Sequence, residues 1–394
     1  MLPSPTPTPR DLAPDVLRGF ALLGIILVNV AYFATDAATG ATGPWLQGAG
    51  NAVAAFLVWA LAQGKFYLLF SFLFGYSAQY VVRGDPARRR RWVARALALI
   101  VLGALHAALL FHGDILFGYG LLALPFAALL FRDAATVRRW AWRVFGATAA
   151  LQALLVLALW AAERAGEPTA APLTARLNDV LQAGTFLAAI PARVELWVVA
   201  FPSGMVLQGG YAFAAFLVGL LAARAGALGA GSRVLDPRRL MAWGFGLGLP
   251  LQAVSAWLGV ANELSATYSD AVAVGALTLG LTTAPLLSAG YLGAVLWVLE
   301  WRPARLAWLR YPGRMSLTTY LLQSLVLAMV FGPWGLGLFQ RLEYWAAVLV
   351  AAATGLALSG VARLVIGRFG QGPFEAGMRA WTRVWPGTGG SRPG

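Results

Sequence analysis

Apolar residues along this chain run in unbroken blocks rather than in strict alternation. Ten blocks stand out, at residues 16–34, 65–82, 92–111, 114–131, 141–162, 203–223, 240–260, 275–299, 316–331 and 344–366. Most have the roughly 18 to 25 residues that an α-helix needs to cross about 30 Å of hydrocarbon. Barrel strands would alternate lipid-facing and lumen-facing residues instead. In lipid, only helices and closed barrels satisfy every backbone polar group. The pattern therefore predicts an all-α fold, a polytopic integral membrane bundle of about ten transmembrane helices.

Two stretches between blocks are too long to be simple loops. Residues 36–64 contain the apolar piece 52–62, and residues 163–202 mix Glu163, Glu167, Asp179 and Glu195 with Phe186, Leu187 and Trp197. Both read as interfacial helices, near 50–63 and 175–198, covering the outer mouth. Pro191 and Pro202 are expected to interrupt the second. The chain then divides into a tail at 1–14, an amino-terminal membrane half at 15–223, a carboxy-terminal half at 224–383 and a flexible tail at 384–394.

Charge adds an orientation. Placing the amino terminus inside puts 25 basic residues on the inner side and leaves only Lys65, Arg164, Arg176, Arg193 and Arg341 outside. That asymmetry is the positive-inside pattern, so both termini are expected in the cytoplasm. The same distribution, short Arg clusters between apolar blocks, explains the net charge of +14 without a nucleic-acid partner. Composition agrees: 12% charged and 59% hydrophobic, where a soluble domain carries about 25% charged. The chain has no cysteine, which removes disulfides, thiolate metal sites and cysteine nucleophiles, and its only histidines are His106 and His112. The Pro-rich start, MLPSPTPTPRDLAPD, lacks the basic and apolar regions of a cleaved signal peptide.

Polar groups inside a span are costly and mark where function is to be sought. On the first block, Arg18 and Asn29 lie within about 20° of one face at 100° per residue, with Asp15 one turn before Arg18. Between the third and fourth blocks, His112 and Asp114 stand two residues apart at the outer boundary. Asp114 could orient His112 as a general base toward a hydroxyl or amine, or simply cap the following helix. His106, deeper and on another face, reads as a packing residue. In the ninth block Ser316, Thr319 and Gln323 share a stripe beside Arg314, which clusters with Arg302, Arg305 and Arg310. That cluster could grip the phosphates of coenzyme A or act as a topology signal, and the stripe could instead bond neighbouring helices. No phosphate-binding Gly-rich loop, His-Glu-x-x-His or nucleophile elbow occurs.

The chain resembles the bacterial YeiB-like family, whose carboxy-terminal half is known as domain of unknown function 418. The resemblance rests on Asp15-Val-Leu-Arg18-Gly19 with Asn29, Lys65-Phe66-Tyr67 through Phe74-Gly75, and Gly113-Asp114-Ile115-Leu116 with Tyr119. It continues in Gly313-Arg314-Met315-Ser316 through Gln323-Ser324 and in Phe369-Gly370 through Glu375. It implies a multi-pass protein of the bacterial cell (inner) membrane. The first helix is also similar to that of heparan-α-glucosaminide N-acetyltransferase and acyltransferase-3 type enzymes, which implies that Asp15, Arg18 and Asn29 line an acyl-donor tunnel. Those acetyltransferases carry their working histidine after the first helix; residues 35–64 here hold none.

Two functions follow as expectations. One is transmembrane acyl transfer from cytoplasmic acyl-CoA, a co-substrate rather than a tightly bound cofactor, to an outer-face hydroxyl or amine. His112 and Asp114 would be catalytic, and Asp15, Arg18, Asn29, Arg314, Ser316, Thr319 and Gln323 would bind substrate. The alternative is a transporter for a small anionic or amphipathic solute, with a membrane scaffold as the third reading. The lipid bilayer is the expected partner, a homodimer is left open, and no metal site is expected.

Overall fold

The computed structural model describes residues 12–166 and 176–385. Most of the two expected tails, residues 1–11 and 386–394, lies outside them. The path begins with α1 (Leu12–Ala34), α2 (Ala49–Leu61) and α3 (Lys65–Val82), followed by α4 (Arg89–Leu109), α5 (Leu116–Phe126) and α6 (Ala134–Arg164). Next come α7 (Arg176–Ala183), α8 (Phe186–Gly204), α9 (Gly210–Arg224), α10 (Pro237–Trp243), α11 (Leu249–Glu263) and α12 (Asp270–Trp301). Two short pieces, α13 (Pro303–Leu306) and α14 (Arg310–Arg314), lead into α15 (Ser316–Phe331), α16 (Tyr344–Phe369) and α17 (Pro373–Arg383). The described residues contain no strand.

Among the described residues, eight helical runs are long and apolar enough to cross a membrane, and the pair Pro303–Arg314 and Ser316–Phe331, bent by 81° at Met315, makes a ninth if it is counted as one broken span. The remaining expected span, 114–131, is the exception. Its helix α5 has only 11 residues. Pro125 has no N–H to continue the ladder, and residues 127–132 finish in turns whose bonds include Ala128 N to Pro125 O and Leu129 N to Phe126 O.

The two long stretches also differ from expectation. Rather than standing apart as an interfacial helix, α2 joins α3 in one 34-residue run. Lys65, buried at the joint, donates to Trp59 O and Gln63 O at 2.7 Å each, so its ammonium closes the carbonyl end of α2. Likewise α8 continues into α9 as a 39-residue run. Pro191 and Pro202 lie inside α8 without ending it. The chain absorbs the second in a π-helical turn, Met205–Gly209, directly after it.

Both ends of the described chain lie at one end of the bundle. Gly313 packs on the Asp15 backbone, Glu375 in α17 binds the start of α15, and Trp381 Nε1 donates to Ala94 O near the start of α4 at 2.8 Å. At the opposite end Gln340 N donates to Ala34 O at 2.8 Å and Gly43 N to Glu263 at 2.9 Å. The central element is α1, 61% of whose apolar stretch is buried, against 11% for α6 on the periphery. The tightest pair is α3 with α9, and small residues explain it. A Cβ on Gly75 would lie 2.0 Å from Phe216 O, and one on Gly219 2.0 Å from Phe72 O. In lipid, where apolar burial drives helix association weakly, such close backbone approach supplies the packing.

Candidate functional site

The features of the site depend on how the α4–α5 turn folds. Leu110 N and Phe111 N both bond back to His106 O at 2.9 Å, so the chain reverses within a few residues. Residues placed symmetrically about that reversal then face each other. His106 and Asp114 do so: Nδ1 of His106 lies 2.6 Å from Oδ2 of Asp114, both buried. The other carboxylate oxygen, Oδ1, accepts from Phe117 N at 2.7 Å and caps α5. This corrects the expected partnership, because Asp114 orients His106 rather than His112. The His106 ring packs on Tyr320 at 5.1 Å, and its Nε2 is buried without a hydrogen-bond partner.

His112 has a different setting, on the wall of a cavity of about 580 Å³ toward the end opposite the termini. The same cavity is lined by Asn29 and Tyr32 of α1, Gln63, Tyr67 of α3, Asp114, Tyr119 of α5 and Gln208. Most of the rest is apolar, including Ile25, Val28, Phe66, Leu122, Phe201 and Leu277. A large apolar hollow with a few converging polar groups is the form of a small-molecule site. Gln208 is contributed by the π-helical turn, whose Leu207 carbonyl is held by Gln152 Nε2. The Tyr67 hydroxyl is buried without a partner. His112 itself lies in the turn, outside the spanning helices, with Arg193 and Asp36 as its charged neighbours. Burial, reinforced by Arg193, pushes its imidazole down to about 4, so the ring is neutral at physiological pH.

Beside His112, α7 contributes Leu177 and Leu181 to a smaller recess and is tied to the segment after α1. Asn178 Nδ2 donates to Asp36 Oδ2 at 2.6 Å, and Asn178 Oδ1 accepts from Ala37 N at 2.9 Å. Gln182 reaches Gln340 at 2.7 Å, and Gln340 in turn donates to Thr35 O at 2.8 Å.

The other predicted residues collect at the terminus-bearing end. Asp15, 3% exposed, accepts from Arg18 at 3.1 Å. Gly313 is required there, since a Cβ would sit 1.7 Å from Asp15 O. Arg314 donates to Gly370 O at 3.1 Å. Glu375 caps α15 from a distant part of the chain, accepting from Leu317 N at 2.8 Å, Thr318 N at 3.1 Å and Thr318 Oγ1 at 2.6 Å. A carboxylate suits the positive end of a helix. Arg95 stacks on Phe74 at 5.4 Å and lies in electrostatic reach of Arg18 and Glu375. Of the polar stripe, Gln323 donates to Leu22 O at 3.1 Å and ties α15 to α1, Thr319 is buried with its hydroxyl unpartnered, and Ser316 is half-buried at the start of α15.

Seven of the nine expected site residues divide between two places, and Thr319 and Gln323 are buried within α15. Asn29, His112 and Asp114 share the cavity; Asp15, Arg18, Arg314 and Ser316 lie at the far end of the bundle. Asp15 and Asn29 are about 21 Å apart along α1 at 1.5 Å per residue, so they do not form one pocket. Sequence reasoning missed His106, Tyr67, Arg193 and Glu375. The symmetry of His106 and Asp114 about the short turn was the available signal for the first. For Glu375, and for Arg193 against Trp334, the partners come from remote segments and no spacing discloses them, and the Tyr67 hydroxyl has no partner to disclose it.

Comparison with known proteins gives this arrangement a family. A sequence profile described as "Protein of unknown function (DUF418)" matches residues 222–384. The uncharacterized protein YeiB of Escherichia coli is 31% identical over 93% of this chain and 94% of its own length. The uncharacterized protein YxaH of Bacillus subtilis is 28% identical over 92% of this chain and 91% of its own. An uncharacterized 39.9 kDa protein of Bacillus acidopullulyticus is 38% identical over 121 residues. With the profile on its second half and YeiB-type similarity along nearly its whole length, the chain belongs to the DUF418 family of multi-pass membrane proteins.

Proposed function

We propose that this protein is a membrane acyltransferase that joins an acyl group to a hydroxyl or amine acceptor inside the 580 Å³ cavity. The observation that carries the reading is that Asn29 and His112 both line one largely apolar hollow. The apolar wall suits an acyl chain or a lipid-like acceptor. Neutral His112 takes the acceptor's proton as its oxygen or nitrogen attacks the thioester carbon of acyl-CoA. The new C–O or C–N bond forms, the C–S bond breaks, and the departing thiolate receives the proton from the imidazolium. The Asn29 amide is suited to donate to the carbonyl oxygen as negative charge develops there. Asp114 and His106 fix the turn that carries His112.

The positive-inside pattern supports placing the terminus-bearing end in the cytoplasm of a bacterial inner membrane. There Arg18, Arg314 and their neighbours would meet the coenzyme A phosphates. A second reading, transport of a small anionic or amphipathic solute, is favoured by the 81° break at Met315, since discontinuous helices are common at transport sites.

The test uses purified protein in nanodiscs supplied with acetyl-, hexanoyl- and palmitoyl-CoA. Released coenzyme A is read with a thiol reagent, to which the cysteine-free protein contributes no background. Transfer is expected to fall on the order of 10²- to 10⁴-fold in His112→Ala, and saturable acyl-CoA binding to be lost in Arg18→Ala. Full activity in His112→Ala removes that residue as the base. Absence of acyl-CoA binding together with solute uptake by proteoliposomes favours transport.

A further inference from the structure

Beside the main cavity lies a small recess of about 20 Å³, and Arg193 is one of its lining residues. Arg193 is 2% exposed. Its charge is sandwiched between two rings, 5.6 Å from Phe186 and 5.0 Å from Trp334. Nη1 is buried and has no hydrogen-bond partner, and among the described ion pairs Arg193 has none. The nearby carboxylates are committed elsewhere: Asp36 to Asn178 and to the amides of Ala38 and Thr39, and Glu195 to Arg176.

A buried guanidinium is expensive unless an anion compensates it. The aromatic pair stabilises the cation's faces but leaves its in-plane N–H groups free to donate. The recess admits only about one or two oxygen atoms, taking roughly 10–15 Å³ for a water-sized sphere. It adjoins the larger hollow, and Tyr32, Phe111 and His112 line both.

We infer that Arg193 is the receptor for an anionic oxygen, of a phosphate or carboxylate, on an amphipathic ligand whose body occupies the 580 Å³ cavity. The fork of N–H donors matches such a group, and the apolar walls of the cavity take its hydrocarbon part. On the acyl-transfer reading the ligand is the acceptor. Its anionic group is then anchored at Arg193, which lines the same recess as His112, and its hydroxyl or amine is directed to the base. Only this naming of the ligand as acceptor rests on that reading. The anion site itself does not.

The experiment is calorimetric titration of the full chain in a neutral detergent with hexyl phosphate, hexanol and inorganic phosphate. Wild-type protein is expected to bind hexyl phosphate about ten- to a hundredfold more tightly than hexanol, the yield of one or two charge-assisted hydrogen bonds. Arg193→Gln is expected to bring that ratio close to one while leaving hexanol binding in place, and Arg193→Lys to retain part of it. Trp334→Leu, which removes one face of the clamp, should lower the ratio as well and covers the case in which Arg193→Gln fails to fold. Arg193-dependent binding of hexyl phosphate but not of inorganic phosphate identifies a tail-borne anion; binding of both identifies a free anion. A wild-type ratio near one, or a ratio unchanged in Arg193→Gln, overturns the site. Anion binding without any acyl transfer keeps the Arg193 site and removes the reaction. Transfer without anion selectivity does the reverse.

Discussion

Asp114 uses its two carboxylate oxygens on different helices, Oδ2 toward His106 of α4 at 2.6 Å and Oδ1 toward the backbone of Phe117 in α5 at 2.7 Å. One side chain thus ties the end of α4 to the start of α5 and sets the turn from which His112 reaches the cavity. Asp114→Ala is expected to destabilise the protein by about 1–3 kcal/mol, because it leaves a buried imidazole nitrogen and a helix-start N–H unpaired. Asp114→Asn, which can still accept at one oxygen, should cost less. Thermal unfolding in detergent compares the two.

A pH series tests the burial of His112. Its imidazole is depressed in the folded protein to about 4, from an ordinary 6.5. The unfolded chain therefore binds more protons in that window, and stability rises with pH through it. The contribution is complete above pH 6.5 and is lost as pH falls toward 4. Its size is on the order of 3 kcal/mol. His112→Gln should lose less stability than wild type between those pH values; parallel curves for the two proteins would contradict the assignment.

Helix packing gives a prediction independent of function. Gly75→Leu places side-chain atoms where the backbone of Phe216 already stands. Overpacking of about 1–3 kcal/mol or more is expected, seen as lost yield or a lower melting temperature. Gly146→Ala, where a Cβ meets nothing within 4 Å, should be silent.

Glu375 closes the start of α15 from more than 50 residues away. Glu375→Ala is expected to cost about 0.5–2 kcal/mol, the value of a helix cap, and to loosen α17 from the bundle. Faster proteolytic trimming after α16 would report that release.

Orientation can be read directly because the chain has no native cysteine. In intact cells, Gln47→Cys should react with an impermeant maleimide and Ala135→Cys only after lysis. The opposite outcome would invert the bundle.

Much of this protein was legible in its sequence, and the reason is local. An apolar run long enough to cross a bilayer must bond its own backbone as a helix whatever its neighbours, so the spans follow from composition block by block. Arg placement records a further property of the chain alone. Even the candidate residues Asn29, His112 and Asp114, singled out as polar groups in apolar surroundings, proved to share one cavity.

What the tertiary structure decided was partnership. Asp114 is two residues from His112 but bonds to His106, eight residues away, because the tight turn folds α4 and α5 against each other. Pro191 and Pro202, helix breakers by local rule, lie inside α8, which continues through a π-helical turn. Arg193 counted in sequence only as one of five outer charges. Its significance comes from Phe186, two turns earlier on α8, and from Trp334, Tyr32 and His112, brought around it by separate segments of the chain. Sequence spacing determines which residues share a helix face, whereas a binding site depends on distances across helices that only packing sets.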